Sequence, residues 1–189
     1  MIVAVWRVTG HHRIVPVSPG ACVIEMDRLF VEPLRESQAR AIMAWRYDPP
    51  YDFYDPPDAA SVEIYVREFL RPELAFHAVL DASGEFVGFC SFGRDGQVPG
   101  FDYDDKALDI GLGMKPALTG QGYGAAFFAE ILRFAIGTFG PSHLRVTVAE
   151  FNKRAMALYR RFGFEHHSAF LDRRESIPYA VMVREADPC

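Results

Sequence analysis

Three glycines at alternate positions, Gly120, Gly122 and Gly124, stand between a strand-like alternation over residues 108–114 and a helically spaced apolar segment over 125–139. Glycine has no Cβ and tolerates positive φ, so the run Thr119-Gly120-Gln121-Gly122-Tyr123-Gly124-Ala125 can turn several backbone N–H groups toward one anion. A helix start adds unpaired N–H donors and the positive end of a dipole. The order strand, glycine loop, helix therefore calls for a sheet whose end meets a helix N-terminus. It suits a phosphate or diphosphate ligand.

Two common phosphate patterns do not fit. Gly120-Gln121-Gly122-Tyr123-Gly124-Ala125 satisfies the loose dinucleotide form G-x-G-x-x-G/A, but in that fold the strand runs straight into the first glycine and an acid follows about 20 residues later. Here five residues follow Met114 before Gly120, and Gly140-Pro141 stands where the acid belongs. A Walker loop requires Gly-Lys-Ser/Thr, which is missing after the run.

The rest of the chain sets the fold class. Residues 29–31 read as a short strand, and 36–47 as a helix with Ala39, Ile42, Met43 and Arg46 on one face. Four prolines within 48–58 must break that helix, and 61–70 reads as a second one. Strands are expected over 76–80 and 86–92, joined by a glycine-containing hairpin at 81–85. Leu108, Ile110, Leu112 and Met114 alternate with Asp109, Gly111 and Gly113 in a third. A strand at 144–148 leads to Asn152, an N-cap for a helix to Phe162 that Gly163 terminates. A last strand is expected near 179–183. The order β-α-α-β-β-β-α-β-α-β departs from strict β-α alternation. It predicts an α/β (α+β) fold with a mixed, largely antiparallel central sheet and helices on both faces. Residues 1–26 read as an N-terminal extension ending at Met26, an alternative start, and 27–189 as a single domain.

Composition excludes several classes. The net charge is −5 and no Lys/Arg stripe is present, which argues against a nucleic-acid partner. No apolar run approaches the roughly 18–20 residues of a membrane span. Residues 1–8 are too short, and too interrupted by Arg7, for a signal peptide, so no membrane association is expected and the cytoplasm is the default. Cys22, Cys90 and Cys189 are widely spaced, without a C-x-x-C pair, and no structural disulfide is expected. The histidines at 11–12 and 166–167 are adjacent, which in extended chain points them to opposite faces; no metal site is expected.

A second pattern lies downstream, Asn152-x-x-Ala155-x-x-Leu158-Tyr159-x-x-x-Gly163-Phe164. Together with the glycine loop, in which Gly122 and Gly124 match Arg/Gln-x-x-Gly-x-Gly/Ala, it makes the chain resemble the GNAT superfamily of acyl-CoA N-acyltransferases over about residues 28–184. Thr119 stands where that family usually carries Arg or Gln, which removes one side-chain contact and leaves the backbone cradle. Leu108-Asp-Ile-Gly-Leu-Gly-Met114 is also similar to the strand of the branch that acetylates ribosomal-protein N-termini.

The resemblance implies acetyl-CoA as cosubstrate, without a metal. Backbone N–H groups over Gly120 to Ala125 would hold the pyrophosphate, flanked by Thr119, Gln121 and Tyr123. Leu112, Gly113 and Met114 would pair with the pantetheine amides, with Asn152 near the same arm. Gly111 and Gly113 fit either a splayed edge or tight packing against a neighbour. Tyr159, a phenol with an ordinary pKa near 10, would protonate the departing thiolate; the other reading packs it against Phe164 in the helix stop. Asp109 is the first candidate for general base, with a water relay or an Asp tied to the neighbouring strand as alternatives.

The acceptor side rests on Trp45, Tyr47, Tyr51, Phe53 and Tyr54, which interleave with Asp48, Asp52, Asp55 and Asp58. Rings and carboxylates suit a cationic amine, and Trp45, Tyr51, Asp52 and Tyr54 are the candidate substrate contacts. The other reading is a proline-stiffened loop whose rings join the core. The expected activity is transfer of an acetyl group from acetyl-CoA to a primary amine, of a small molecule or a peptide N-terminus, by direct attack in a ternary complex. A non-catalytic acyl-CoA-binding module is the alternative, and the sequence leaves monomer or homodimer open.

Overall fold

The computed structural model describes residues 28–57, 59–173 and 176–186, so the expected extension over 1–26 lies outside it. The elements run β1 (Leu29–Pro33), α1 (Glu36–Met43), α2 (Val62–Phe69), β2 (His77–Asp81), β3 (Phe86–Phe92), β4 (Leu108–Met114), α3 (Gly124–Phe139), β5 (His143–Ala149), α4 (Lys153–Arg161), β6 (Glu165–Leu171) and β7 (Pro178–Glu185). The strands form one sheet in the order β1-β2-β3-β4-β5-β7-β6. Every neighbouring pair is antiparallel except β4 and β5, which α3 connects in parallel. The expected mixed, largely antiparallel sheet is thus observed.

The β4–β5 seam positions everything that follows. Its parallel ladder has only the rungs Leu108↔Leu144 and Asp109↔Arg145. Beyond them β4 stays paired to β3 as far as Met114, and β5 stays paired to β7 as far as Ala149. The two strands therefore part while each remains held by its outer neighbour, and the sheet opens as a V with its vertex at 109 and 145.

Two apolar clusters cover the faces. One joins Phe127, Phe128, Ile131 and Leu132 of α3 and Ala155, Met156 and Tyr159 of α4 to Ile110, Leu112, Leu144, Val146 and Val148 of the central strands. The other joins Ala39, Ile42 and Met43 of α1 and Val66 and Phe69 of α2 to Ala78, Leu80, Phe89, Ala149 and Tyr179. Full burial of each Val, Leu, Ile, Phe or Met among these stabilises the fold by about 1.5–3 kcal/mol. A register shift opposite Val79 and Leu80 sets Val87 in a bulge on β3. Gly88, beside it, is required by close approach: a Cβ there would stand 2.5 Å from the Phe127 ring and 2.6 Å from the Gly113 carbonyl.

Two expectations need correction. The first helix ends at Met43 rather than 47, because Trp45 leaves it to stack on Phe86 and Phe89 at centroid distances of 5.6 and 5.9 Å. Burial of the rings at 45 and 47 outweighs four more residues of helix. A strand was also missing from the expected order. β6 is an edge strand with most side chains exposed and a register shift between His166 and Ser168, so no apolar alternation marks it.

Candidate active site

At the vertex of the V, Asp109 and Arg145 form a bidentate pair, with Nε to Oδ1 at 2.6 Å and Nη2 to Oδ2 at 2.8 Å. Gln97 Nε2 donates to the same Oδ2 at 2.8 Å. Arg145 also holds Asp104, through Nη1 to Oδ1 at 2.9 Å and Nη2 to the backbone carbonyl at 2.8 Å, and lies over the Tyr103 ring. Both members of the central pair are buried. The Asp109 hydrogen bonds raise the Arg145 pKa, and the Arg145 guanidinium lowers that of Asp104. Of the roles left open for Asp109, this geometry matches a carboxylate tied to the neighbouring strand: both oxygens are taken up in crossing the seam.

At the open end, the Tyr47 hydroxyl donates to the Met114 carbonyl at 2.8 Å. On the opposite arm β5 ends at Ala149, and the chain turns through Asn152 into α4. Asn152 is fully buried and caps that helix, its Oδ1 accepting from the Ala155 N–H at 3.1 Å. Its Nδ2 donates to the Tyr54 hydroxyl at 3.4 Å. Tyr159, two turns along α4, is fully buried against Phe128 and Phe164, at centroid distances of 5.0 and 6.0 Å. Its carbonyl accepts from the Phe162 and Phe164 N–H groups in the helix stop. Among the described residues its hydroxyl has no hydrogen-bond partner. Burial first, and the nearby Tyr54 phenol second, push its pKa far up.

Past Met114 the chain makes a 3-10 turn over Pro116–Leu118 and enters the glycine loop. Gly120 and Gly122 have φ of +79° and +89°, and Gly124 opens α3. The Thr119 N–H bonds back to Pro116, and the Phe127 N–H is the next to reach back, to Tyr123. Among the described residues, the N–H groups of 120–126 between them have no acceptor. Gly120, Gly122, Gly124 and Ala125, with Met114 and Thr119, line one side of a cleft of about 310 Å³. Arg154, Ala157, Leu158 and Arg161 of α4 line the other. Gln121 and Thr119 turn their side chains inward, onto the Ala117 and Pro116 carbonyls. Tyr123 is half-buried against the α3 cluster.

The aromatic loop divides. Trp45 is core, distant in role from the cleft, and Tyr54 is buried against Phe151 and Asn152. Tyr51 stays half-exposed beneath the Arg154 guanidinium, 4.5 Å from its ring centroid. Asp52 is exposed, and Asp55 accepts the Tyr47 N–H at 2.8 Å. Burial raises the Asp55 pKa. Asp58 lies outside the described residues. A second cavity of about 350 Å³, bounded by Arg46, Asp48, Tyr51 and Pro116, adjoins the cleft and shares Thr119 and Arg154 with it. Arg154 and Arg161 were absent from the expected site, and Tyr47, expected among the acceptor-side rings, instead bonds the Met114 carbonyl. Arg154, Leu158 and Arg161 follow i, i+4, i+7 spacing and so share one face of α4, which is the signal that marks them. No group of three or more His, Cys, Asp or Glu among the described residues could hold a metal ion.

A sheet parted between two parallel strands, with a glycine cradle at the mouth and a buried phenol behind it, defines an acyltransferase-like architecture. The model of the acetyltransferase (GNAT) domain matches residues 28–165, and the chain belongs to that family. Over 84 residues it is 36% identical to the N-alpha-acetyltransferase RimI of Mycobacterium tuberculosis (strain ATCC 25618 / H37Rv), a stretch covering 44% of this chain and 48% of that protein. The chain thus spans about half the length of that relative. Among solved structures, a GNAT-family acetyltransferase from Bacillus anthracis aligns with a TM-score of 0.67 at 13% identity, covering 86% of this chain and 98% of that one. Spermidine N-acetyltransferase from Vibrio cholerae in complex with CoA and spermine aligns at 0.61 and 15% identity, again covering 86% and 98%.

Proposed function

We propose that the protein transfers the acetyl group of acetyl-CoA to a primary amine, of a small molecule or a peptide N-terminus, by direct attack in a ternary complex. The observation that carries this reading is the glycine loop at the start of α3, whose N–H groups over 120–126 lack an acceptor among the described residues and whose Gly120, Gly122, Gly124 and Ala125 line a cleft beside Met114, at the open end of the V. Such groups suit a diphosphate, and the edge of Leu112, Gly113 and Met114 that β5 leaves without ladder pairing suits the amides of a pantetheine arm, with the Met114 carbonyl already held by Tyr47. The thioester then lies between the strand arms. The amine nitrogen bonds to the acetyl carbon, the carbon–sulfur bond breaks, and the nitrogen releases its proton to solvent. The Tyr159 hydroxyl gives its proton to the departing thiolate and is reprotonated from solvent, so that the net products are the amide and the free coenzyme A thiol. Asn152 and Tyr54 fix the start of α4 and with it the Tyr159 backbone. Asp109 serves as an anchor of the vertex in this reading, not as the base.

For the acceptor, the exposed Asp52 follows Tyr51, which borders the adjoining cavity and carries Arg154 on its ring, and the Asp52 carboxylate favours a cationic amine. Trp45 and Tyr54 act there as supports. The test is release of free thiol from acetyl-CoA with a panel of peptide N-termini, polyamines and aminoglycosides. Thiol release with any member supports transfer. Tight acetyl-CoA binding without turnover across the panel would leave a binding module in its place.

A further inference from the structure

The glycine loop offers backbone donors but no cation. Position 119 is a threonine whose hydroxyl donates to the Pro116 carbonyl at 2.9 Å, and the Gln121 amide donates to the Ala117 carbonyl. Coenzyme A carries a diphosphate and a ribose 3′-phosphate, and the protein itself has a net charge of −5. Binding so anionic a ligand calls for local positive charge.

The cleft has such charge on α4. Arg154 and Arg161 both line it, both are exposed, and neither forms an ion pair among the described residues. Arg35, Arg40, Arg71, Arg133 and Arg145, by contrast, each meet a carboxylate. The Arg154 guanidinium comes within 3.4 Å of where a Cβ on Gly120 would stand, so it borders the loop directly. Tyr51 lies under it and holds it in place without cancelling its charge. Leu158, between the two arginines, lies 3.6 Å from where a Cβ on Gly124 would stand, at the start of α3. Arg161 is two turns beyond Arg154, about 10 Å along the helix at 1.5 Å per residue. The two cations therefore stand along one face of α4, Arg154 beside Gly120 and Arg161 farther along the same cleft.

We propose that Arg154 and Arg161 supply the cationic contacts that the loop lacks, Arg154 to the diphosphate and Arg161 to the 3′-phosphate, so that the cleft selects coenzyme A over its 3′-dephospho form. This rests on the acyl-CoA reading above. A guanidinium binds phosphate through paired, charge-assisted hydrogen bonds that a backbone N–H cannot match.

The test is calorimetric titration of the wild type, Arg154→Ala and Arg161→Ala with acetyl-CoA, 3′-dephospho-acetyl-CoA and acetyl-pantetheine. The wild type should bind acetyl-CoA about 10-fold or more tighter than the dephospho form, the order of one charged hydrogen-bonded contact. Arg161→Ala should erase that preference and leave the dephospho affinity unchanged. Arg154→Ala should weaken both nucleotide ligands roughly 10- to 100-fold, and neither variant should alter acetyl-pantetheine binding. Persistence of the full 3′-phosphate preference in Arg161→Ala, or wild-type affinities in Arg154→Ala, overturns the assignment while the acyl-CoA reading stands. A wild type that binds acetyl-CoA no tighter than acetyl-pantetheine removes the phosphate cradle itself.

Discussion

The phenol of Tyr159 is buried with no hydrogen-bond partner among the described residues, and one substitution separates its proposed role in proton transfer from its role in packing. Tyr159→Phe keeps the ring contacts with Phe128 and Phe164 and removes only the unsatisfied hydroxyl. The variant should be more stable by about 1 kcal/mol, read as a rise in Tm, because an unpaired buried polar group carries a cost. Its kcat should fall roughly 10- to 10⁴-fold, the range of general acid catalysis, with acetyl-CoA affinity unchanged. A Phe variant of wild-type turnover would give Tyr159 a packing role alone. Asp95 offers a second residue-scale test. Burial pushes its carboxyl up to about 6, against 3.8 as the ordinary value, while the Ser91 hydroxyl bond pulls the other way. Folded protein therefore retains a proton between these pH values that the unfolded chain releases, so Asp95 costs stability as pH rises through about 6. Asp95→Asn mimics the protonated form and should gain roughly 2–3 kcal/mol over wild type on going from pH 4.5 to 7.5. Tm measured on both proteins across that range checks it. Parallel curves would deny Asp95 its raised pKa.

Among the elements, the β4–β5 seam depends on its charged rung. The pair Asp109–Arg145 stands at the last rung before the arms part, and nothing else in the ladder continues the pairing. Removing one member of a buried pair costs about 3–5 kcal/mol. Arg145 keeps Asp104, so Asp109→Asn should lose nearer 3 kcal/mol. Its pH–rate profile should keep the wild-type shape, which separates an anchor from a base; selective loss of rate at low pH would restore Asp109 to the chemistry. This seam also shows what the sequence could and could not convey. The alternation over 108–114 and the glycines after it were visible, because period-2 apolarity and Cβ-free turns are local. The N-cap at Asn152 and the stop at Gly163, with φ of +80°, were visible for the same reason. That Asp109 would be spent on Arg145 was not, since the two lie 36 residues apart and only strand order joins them. β6 escaped because an exposed edge strand has no buried face to impose alternation. The loop rings showed as aromatic density, but which of them face inward depended on Phe86, Phe89 and Phe151, which other elements supply.

For the molecule as a whole, the V makes the ligand part of the architecture. One half of the sheet is β1 to β4, the other β5, β7 and β6, and they meet through two rungs, with α3 and α4 packed together in one cluster across the join. A ligand whose arm pairs with β4 and whose phosphates sit on the start of α3 and on α4 would tie both halves. Acetyl-CoA should therefore stabilise the entire fold, by about 2.7 kcal/mol at 100-fold excess over Kd. For a chain of this size that is a rise in Tm of roughly 5–10 °C. Hydrogen exchange should slow at the N–H groups of 120–126 and along the open edge of β4. Gly122→Asp is the control, because a carboxylate at the cradle repels the diphosphate and a Cβ strains the φ of +89°. That variant should lose most of the ligand-induced rise, even where its own Tm is somewhat lower. Acetyl-pantetheine, which carries no phosphate, should give a far smaller rise with either protein. A Gly122→Asp protein that folds and gains the full rise with acetyl-CoA would place the phosphates elsewhere, and the cleft between α3 and α4 would lose its ligand.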